Sequence, residues 1–178
     1  MTFGSRTAAI SVALVLLSVR LAYATTNQAV SVTGNVVGDC TTVPSTGTLA
    51  FGNYNPLSTS DLSAATPFTF SINCTRGDTN LTAAVDGGTN YANAVPSGNR
   101  AMKDNTGHYL SYQLYEDSGD RTAWPFSSSG GSGTPVALTA GGISTANTIS
   151  LYGVIPHGQT AATDVGSYSD TVRVTVNY

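Results

Sequence analysis

The chain ends YSDTVRVTVNY (168–178). Val172, Val174 and Val176 fall on one face of an extended segment, with Thr171, Arg173, Thr175 and Asn177 on the other. That period of two is the pattern of a half-buried β-strand. The same alternation recurs at short intervals, and no window carries apolar residues at the three-and-four spacing of a helix with caps. Almost no helix is therefore expected. The terminal strand has an apolar face and nothing after it to cover its edge, so the cover is expected from another molecule.

Seven more segments read as extended, with turn residues between them. They are AVSVTGNVV (29–37), TLAFGNY (48–54), PFTFSINCT (67–75), LTAAVDGG (81–88), HYLSYQLYED (108–117), TPVALTA (134–140) and TISLYGVIP (148–156). Phe68, Phe70, Ile72 and Cys74 share a face, as do Leu110, Tyr112 and Leu114. SSSGGSGTP (127–135) reads as a flexible surface connection. Antiparallel strands in this number point to an all-β, immunoglobulin-like β-sandwich. It lacks the Cys-Trp-Cys order of antibody domains, because the single Trp, Trp124, follows both cysteines.

Residues 1–24 read as a secretory signal peptide. Arg6 opens it, TAAISVALVLLSV is its apolar run, and Ala22-Tyr23-Ala24 supplies the small-x-small pattern before a cut after Ala24. The run is short for a membrane span, and no second one follows, so no span is expected after cleavage. Without Arg6 and Arg20, five basic side chains face ten acidic ones, a net charge of about −5. A nucleic-acid partner would need a basic stripe, which is missing. Cys40 and Cys74 are the only cysteines, and in an exported chain they are expected to form one disulfide. A metal site would need further ligands at suitable spacing.

The catalytic inventory is thin. His108 and His157 each stand beside a strand with no partner motif. Glu116, Asp117 and Asp120 read as a solvated turn and lack EF-hand spacing. GGSGT (130–134) fails the nucleophile-elbow pattern at Thr134. Asn73-Cys74-Thr75 and Asn80-Leu81-Thr82 match a glycosylation acceptor, which matters only in a host that glycosylates exported proteins. Trp124 and the tyrosines are the raw material of a sugar-stacking platform, and equally of a sandwich core. No enzyme activity and no cofactor is expected.

The termini carry the functional signal. TTNQAVSVTGNVVG (25–38) is polar and then alternating, with Val30, Val32, Gly34 and Val36 on one face. Val172, Val174, Val176 and Tyr178 form the matching stripe at the other end. If the sandwich lacks its closing strand, core side chains and open backbone groups line a groove. The N-terminal segment of a neighbouring molecule can fill it by strand addition. Three buried valines would contribute about 5–9 kcal/mol before ordering costs. Repeated head to tail, the contact does not close and builds a fibre. Val30 and Val32 are the leading donor residues; Val36 also suits the domain's first strand.

At this point the ordered residues resemble the spore coat protein U domain family, the fold of Csu-type archaic chaperone–usher pilins. The resemblance rests on Cys40, FGNYNP (51–56), SINCTRG (71–77), AAVDGG (83–88), RAMKD (100–104), LSYQLYED (110–117), Trp124, LYGVIPHGQ (151–159) and the terminal YSDTVRVTVNY. It implies an incomplete immunoglobulin-like domain (38–178) behind a donor segment (25–37). A periplasmic chaperone would lend a strand, and at an outer-membrane usher the next subunit's strand would replace it. The product would be a surface pilus serving adhesion and biofilm formation. The resemblance also implies the Cys40–Cys74 disulfide and places Val172 to Tyr178 beside the acceptor groove. The one-domain length fits a repeating subunit. A secreted carbohydrate-binding module and a structural coat protein are the alternatives.

Overall fold

The structure is a computed structural model describing residues 28–43, 46–75, 77, 80–139, 141–142, 145–159 and 164–178. The expected signal peptide and residues 25–27 of the donor segment lie outside the described residues. The chain divides into two units, residues 1–35 and 36–178. Of the first, residues 28–35 have no regular secondary structure and are exposed.

The second unit is all-β among its described residues, apart from one 3-10 turn at Tyr91–Asn93. Its strands are β1 (Cys40–Val43), β2 (Leu62–Ser63), β3 (Phe68–Cys74), β4 (Thr82–Val85), β5 (Arg100–Lys103), β6 (Tyr109–Tyr115), β7 (Val136–Ala137), β8 (Asn147–Ile155) and β9 (Val174–Asn177). One sheet runs β1-β3-β8-β6-β5, and the other β7-β4-β9. The long β8 pairs with β3 along its first half and with β2 near its end, while β6 takes its other edge. All pairs between the named strands are antiparallel.

The alternation builds the core. Phe70, Ile72 and Cys74 of β3, Leu110, Tyr112 and Leu114 of β6, and Ile149 and Leu151 of β8 are all buried in one cluster. Leu81, Ala83 and Val85 join it from the second sheet's side, and Trp124 lies among them. Two sheets covering one apolar layer make a sandwich. The disulfide closes Cys40 onto Cys74, a directly opposed pair of β1 and β3. Linking residues 34 apart in sequence contributes about 4 kcal/mol on the chain-entropy account.

Three expected strands differ in the structure. Residues 29–37 form none: a strand needs a paired backbone, and they join no ladder among the described residues; the first strand is instead β1 at Cys40–Val43. Residues 48–54 alternate only from Leu49 to Phe51, after which the half-buried position shifts to Tyr54, and among the described residues they make no ladder. The terminal strand is only β9, beginning at Val174. SSSGGSGTP is a hydrogen-bonded turn rather than a loose connection: Ser127 N–H donates to Gly131 O, and Gly87 N–H to Gly130 O. No helix among the described residues is long and apolar enough to cross a membrane.

Candidate functional site

β9 is an edge strand, paired with β4 on one side from Val174 opposite Val85 to Asn177 opposite Thr82. Its other edge faces a cavity of about 620 Å³ between the sheets. Val172, Val174 and Val176 line this cavity from the β9 side. Phe70, Tyr112, Leu114 and Leu151, all core residues, form its floor. Residues 46–49 and Phe51 make the opposite bank. Of the expected groove residues, Tyr178 falls outside this lining and is 59% exposed.

The opposite bank is held by side chains alone. Leu49, Phe51 and Tyr54 pack onto the core. Among the described residues, no backbone hydrogen bond joins residues 46–53 to another strand. Gly153 of β8 makes room for them: a Cβ there would stand 2.6 Å from the Phe51 ring and 2.7 Å from Leu49. Among the described residues, β9 on one bank and residues 46–53 on the other thus make no ladder across the cavity, over a floor of core side chains, whereas Ser169, also in the lining, exchanges both backbone hydrogen bonds with Lys103 of β5.

A polar network fixes the β9 bank. Asp170 Oδ2 accepts from the Tyr112 hydroxyl at 2.8 Å, and Oδ1 from Thr89 N–H at 2.9 Å and Asn90 Nδ2 at 3.2 Å. Burial raises the Asp170 carboxyl above its ordinary value, against the hydrogen bonds from Tyr112, Thr171, Thr89 and Asn90. Burial, then the neighbouring Asp170 carboxylate, pushes the Tyr112 phenol up. Gly88, at φ +80°, passes so close that a Cβ would lie 2.1 Å from Asp170 Oδ2. Asp86 Oδ1 accepts from Gly88 N–H and Arg173 N–H, joining the β4 turn to the start of β9.

Arg100 is fully buried. Its guanidinium donates to Asp86 O, Gln113 Oε1 and Trp124 O, and stacks 4.8 Å from the Phe126 ring centroid. Burial lowers its pKa to about 10, so it stays charged at neutral pH. Arg100, Asp86 and Asp170 belong to no chemical motif in the sequence. Their one visible signal was position, because each lies inside a stretch that carried the family resemblance.

The remaining polar candidates do local work. His157 Nδ1 pairs with Asp61 at 2.6 Å on the surface. His108 Nδ1 lies 3.4 Å from Asp104 Oδ2 and 3.1 Å from Asp164 Oδ2, the one metal-like grouping among the described residues. Asp104 is already engaged by the N–H groups of Thr106, Gly107 and His108 and by the Thr106 hydroxyl. Asp117 caps its turn through Gly119 N–H and Thr122 N–H. Trp124 is 3% exposed, so it has no face to offer a sugar.

Together these features define an immunoglobulin-like β-sandwich whose smaller sheet stops at an open strand beside a groove of core side chains. The Spore Coat Protein U domain matches residues 26–175, and the chain belongs to that family. No curated protein matches the sequence. Among solved structures, one similar chain lies in the CsuC–CsuE chaperone–tip adhesion subunit pre-assembly complex from archaic chaperone–usher Csu pili of Acinetobacter baumannii. The identity is 20% and the TM-score 0.50, over 80% of this chain and 40% of that one. A chain from a chaperone–usher pilus, solved to explain rod uncoiling, is 16% identical with a TM-score of 0.51. That match covers 85% of this chain and 95% of the other. At these identities the likeness shows the fold.

Proposed function

We propose that this chain is a structural subunit of a chaperone–usher pilus, polymerising by donor-strand complementation. One observation carries the reading. The cavity beside β9 lies between the free edge of β9 and residues 46–53, which make no ladder among the described residues, and it is floored by core side chains, as a missing β-strand would leave it. Val172, Val174 and Val176 form the acceptor side. The donor is the 25–37 segment of another copy, whose Val30, Val32 and Val36 are 80%, 89% and 90% exposed. Valines this exposed gain by burial, about 1.5–3 kcal/mol each.

Family membership and the likeness to chaperone–usher subunits support the partners: a periplasmic chaperone that covers the groove first, an outer-membrane usher, and neighbouring subunits. The signal peptide reading supports export through the periplasm to a surface pilus. Adhesion and biofilm formation are the role proposed for the fibre. The sugar-binding alternative has no exposed Trp124 to rest on.

Size-exclusion chromatography of the secreted chain, with and without a peptide spanning 25–37, tests the reading. The chain alone is expected to aggregate or self-associate, and the peptide to yield a stable one-to-one complex. A stable monomer indifferent to the peptide would overturn it.

A further inference from the structure

The turn between β5 and β6 and the segment that precedes Tyr168 bring three ligand atoms together. His108 Nδ1 lies 3.4 Å from Asp104 Oδ2 and 3.1 Å from Asp164 Oδ2. All three atoms fall within 4.8 Å of one another, the one such grouping of His, Cys, Asp or Glu among the described residues. Asp104 and His108 share a single turn, and the fold brings Asp164 to them from a distant part of the chain.

The spacing is not that of a simple hydrogen-bonded pair. In the same molecule His157 Nδ1 approaches Asp61 Oδ1 to 2.6 Å, whereas His108 faces two carboxylates and closes on neither. A tetrahedral Zn2+ held at about 2.0–2.2 Å by N and O ligands keeps them about 3.3–3.5 Å apart, close to what is found here. Asp104 is oriented for such a role. Its side chain is buried, and Oδ1 accepts the N–H groups of Thr106, Gly107 and His108, so Oδ2 is the oxygen turned to the imidazole. The Thr106 hydroxyl donates to that Oδ2 at 2.6 Å and lies 2.8 Å from His108 Nδ1. Hydrogen bonds of this kind fix ligating carboxylates. The Tyr168 hydroxyl donates to Asp164 O at 3.0 Å and holds the third residue's backbone. Among the described residues no Lys or Arg pairs with either carboxylate, which leaves their charge to a cation.

We propose that Asp104, His108 and Asp164 form a Zn2+ site, with water in the fourth position. One imidazole and two carboxylate oxygens suit zinc. Ca2+ takes about six to eight oxygens and Mg2+ a near-ideal octahedron, which this set of ligand atoms does not provide. On binding, the Nδ1 lone pair goes to the ion, and the Thr106 hydroxyl keeps its bond to Asp104. The ion neutralises both carboxylates and ties the β5–β6 turn to the segment that begins at Asp164. Zinc binding here requires no donor strand, so the site stands or falls apart from the fibre reading.

The secreted chain, stripped with a chelator, is dialysed to equilibrium against Zn2+, Ca2+ or Mg2+, and the metal bound per chain is measured by elemental analysis. This readout serves monomeric and self-associated chains alike. One Zn2+ per chain is expected, bound at least about tenfold more tightly than Ca2+ or Mg2+. Asp164→Asn and His108→Ala are each expected to weaken zinc binding roughly tenfold or more. The Asp164 and His108 side chains are 53% and 42% exposed, so far-UV circular dichroism should show both variants folded like the parent. His157→Ala, which removes the other histidine, should change zinc binding less than about threefold. Absence of zinc binding, binding that survives Asp164→Asn or His108→Ala, or binding lost with His157→Ala would overturn the site.

Discussion

The Tyr112 hydroxyl, on the floor of the groove, donates a 2.8 Å hydrogen bond to Asp170 Oδ2 on its bank. The bond joins the larger sheet to the segment that leads into β9. Tyr112→Phe keeps the ring and removes the donor, leaving one oxygen of a partly buried carboxylate short of a partner. A loss of about 1–3 kcal/mol is expected in urea unfolding. An unchanged midpoint would mean that the bank is held without this bond.

Gly153 tests how the opposite bank is seated. A Cβ there would meet Phe51 and Leu49 at 2.6 and 2.7 Å, and Val adds two further carbons. Gly153→Val is expected to destabilise the domain by about 1–3 kcal/mol by forcing residues 49–51 off β8. Equal stability of the variant would show that this bank is not fixed by packing on β8.

Asp104 gives the fold an acid limit. Burial alone would raise its carboxyl, but the Thr106 hydroxyl and the N–H groups of His108, Gly107 and Thr106 hold it well below 3.8. The unfolded chain therefore takes up this proton first as pH falls. The stabilisation is complete above about pH 4–5 and is lost progressively on further acidification. Thermal melts should show a smaller loss between pH 5 and about 2.5 for Asp104→Asn than for the parent chain. Parallel losses in both would assign the acid limit to other carboxylates.

Val174 lies opposite Val85 and lines the cavity. Val174→Asp would set a charge against the apolar floor, at a cost of several kcal/mol to any strand that covers it. Expressed with a chaperone and usher, this variant is expected to lose SDS-resistant polymer ladders. Asn177→Asp, at an exposed position outside the cavity lining, should retain them. Ladders from the Val174→Asp chain would place the acceptor groove elsewhere.

Much of the sandwich was readable because alternation records which side of a strand is dry. Phe70, Ile72 and Cys74 are buried as their spacing predicts, and so are Leu110, Tyr112 and Leu114. The Cys40–Cys74 pairing needed only a count of two. Alternation does not report pairing, however. Residues 29–37, and 48–54 as far as Phe51, alternate as β3 does but make no ladder among the described residues. Short strands escaped for the opposite reason: β2 has two residues, and in β5 the buried Arg100 disguises an inward position as a polar one.

What the sequence determined by itself was the all-β class, the apolar faces and the two valine stripes near its ends, because each is a property of side-chain order along one strand. The tertiary structure alone decided that, among the described residues, β9 pairs only with β4, that 46–53 makes no ladder, and that Tyr178 is not among the residues lining the cavity. Those facts depend on which segments become neighbours across the sandwich. The contacts that settle it, Gly153 beneath Phe51 and Tyr112 against Asp170, join residues 102 and 58 positions apart, beyond the reach of any local pattern.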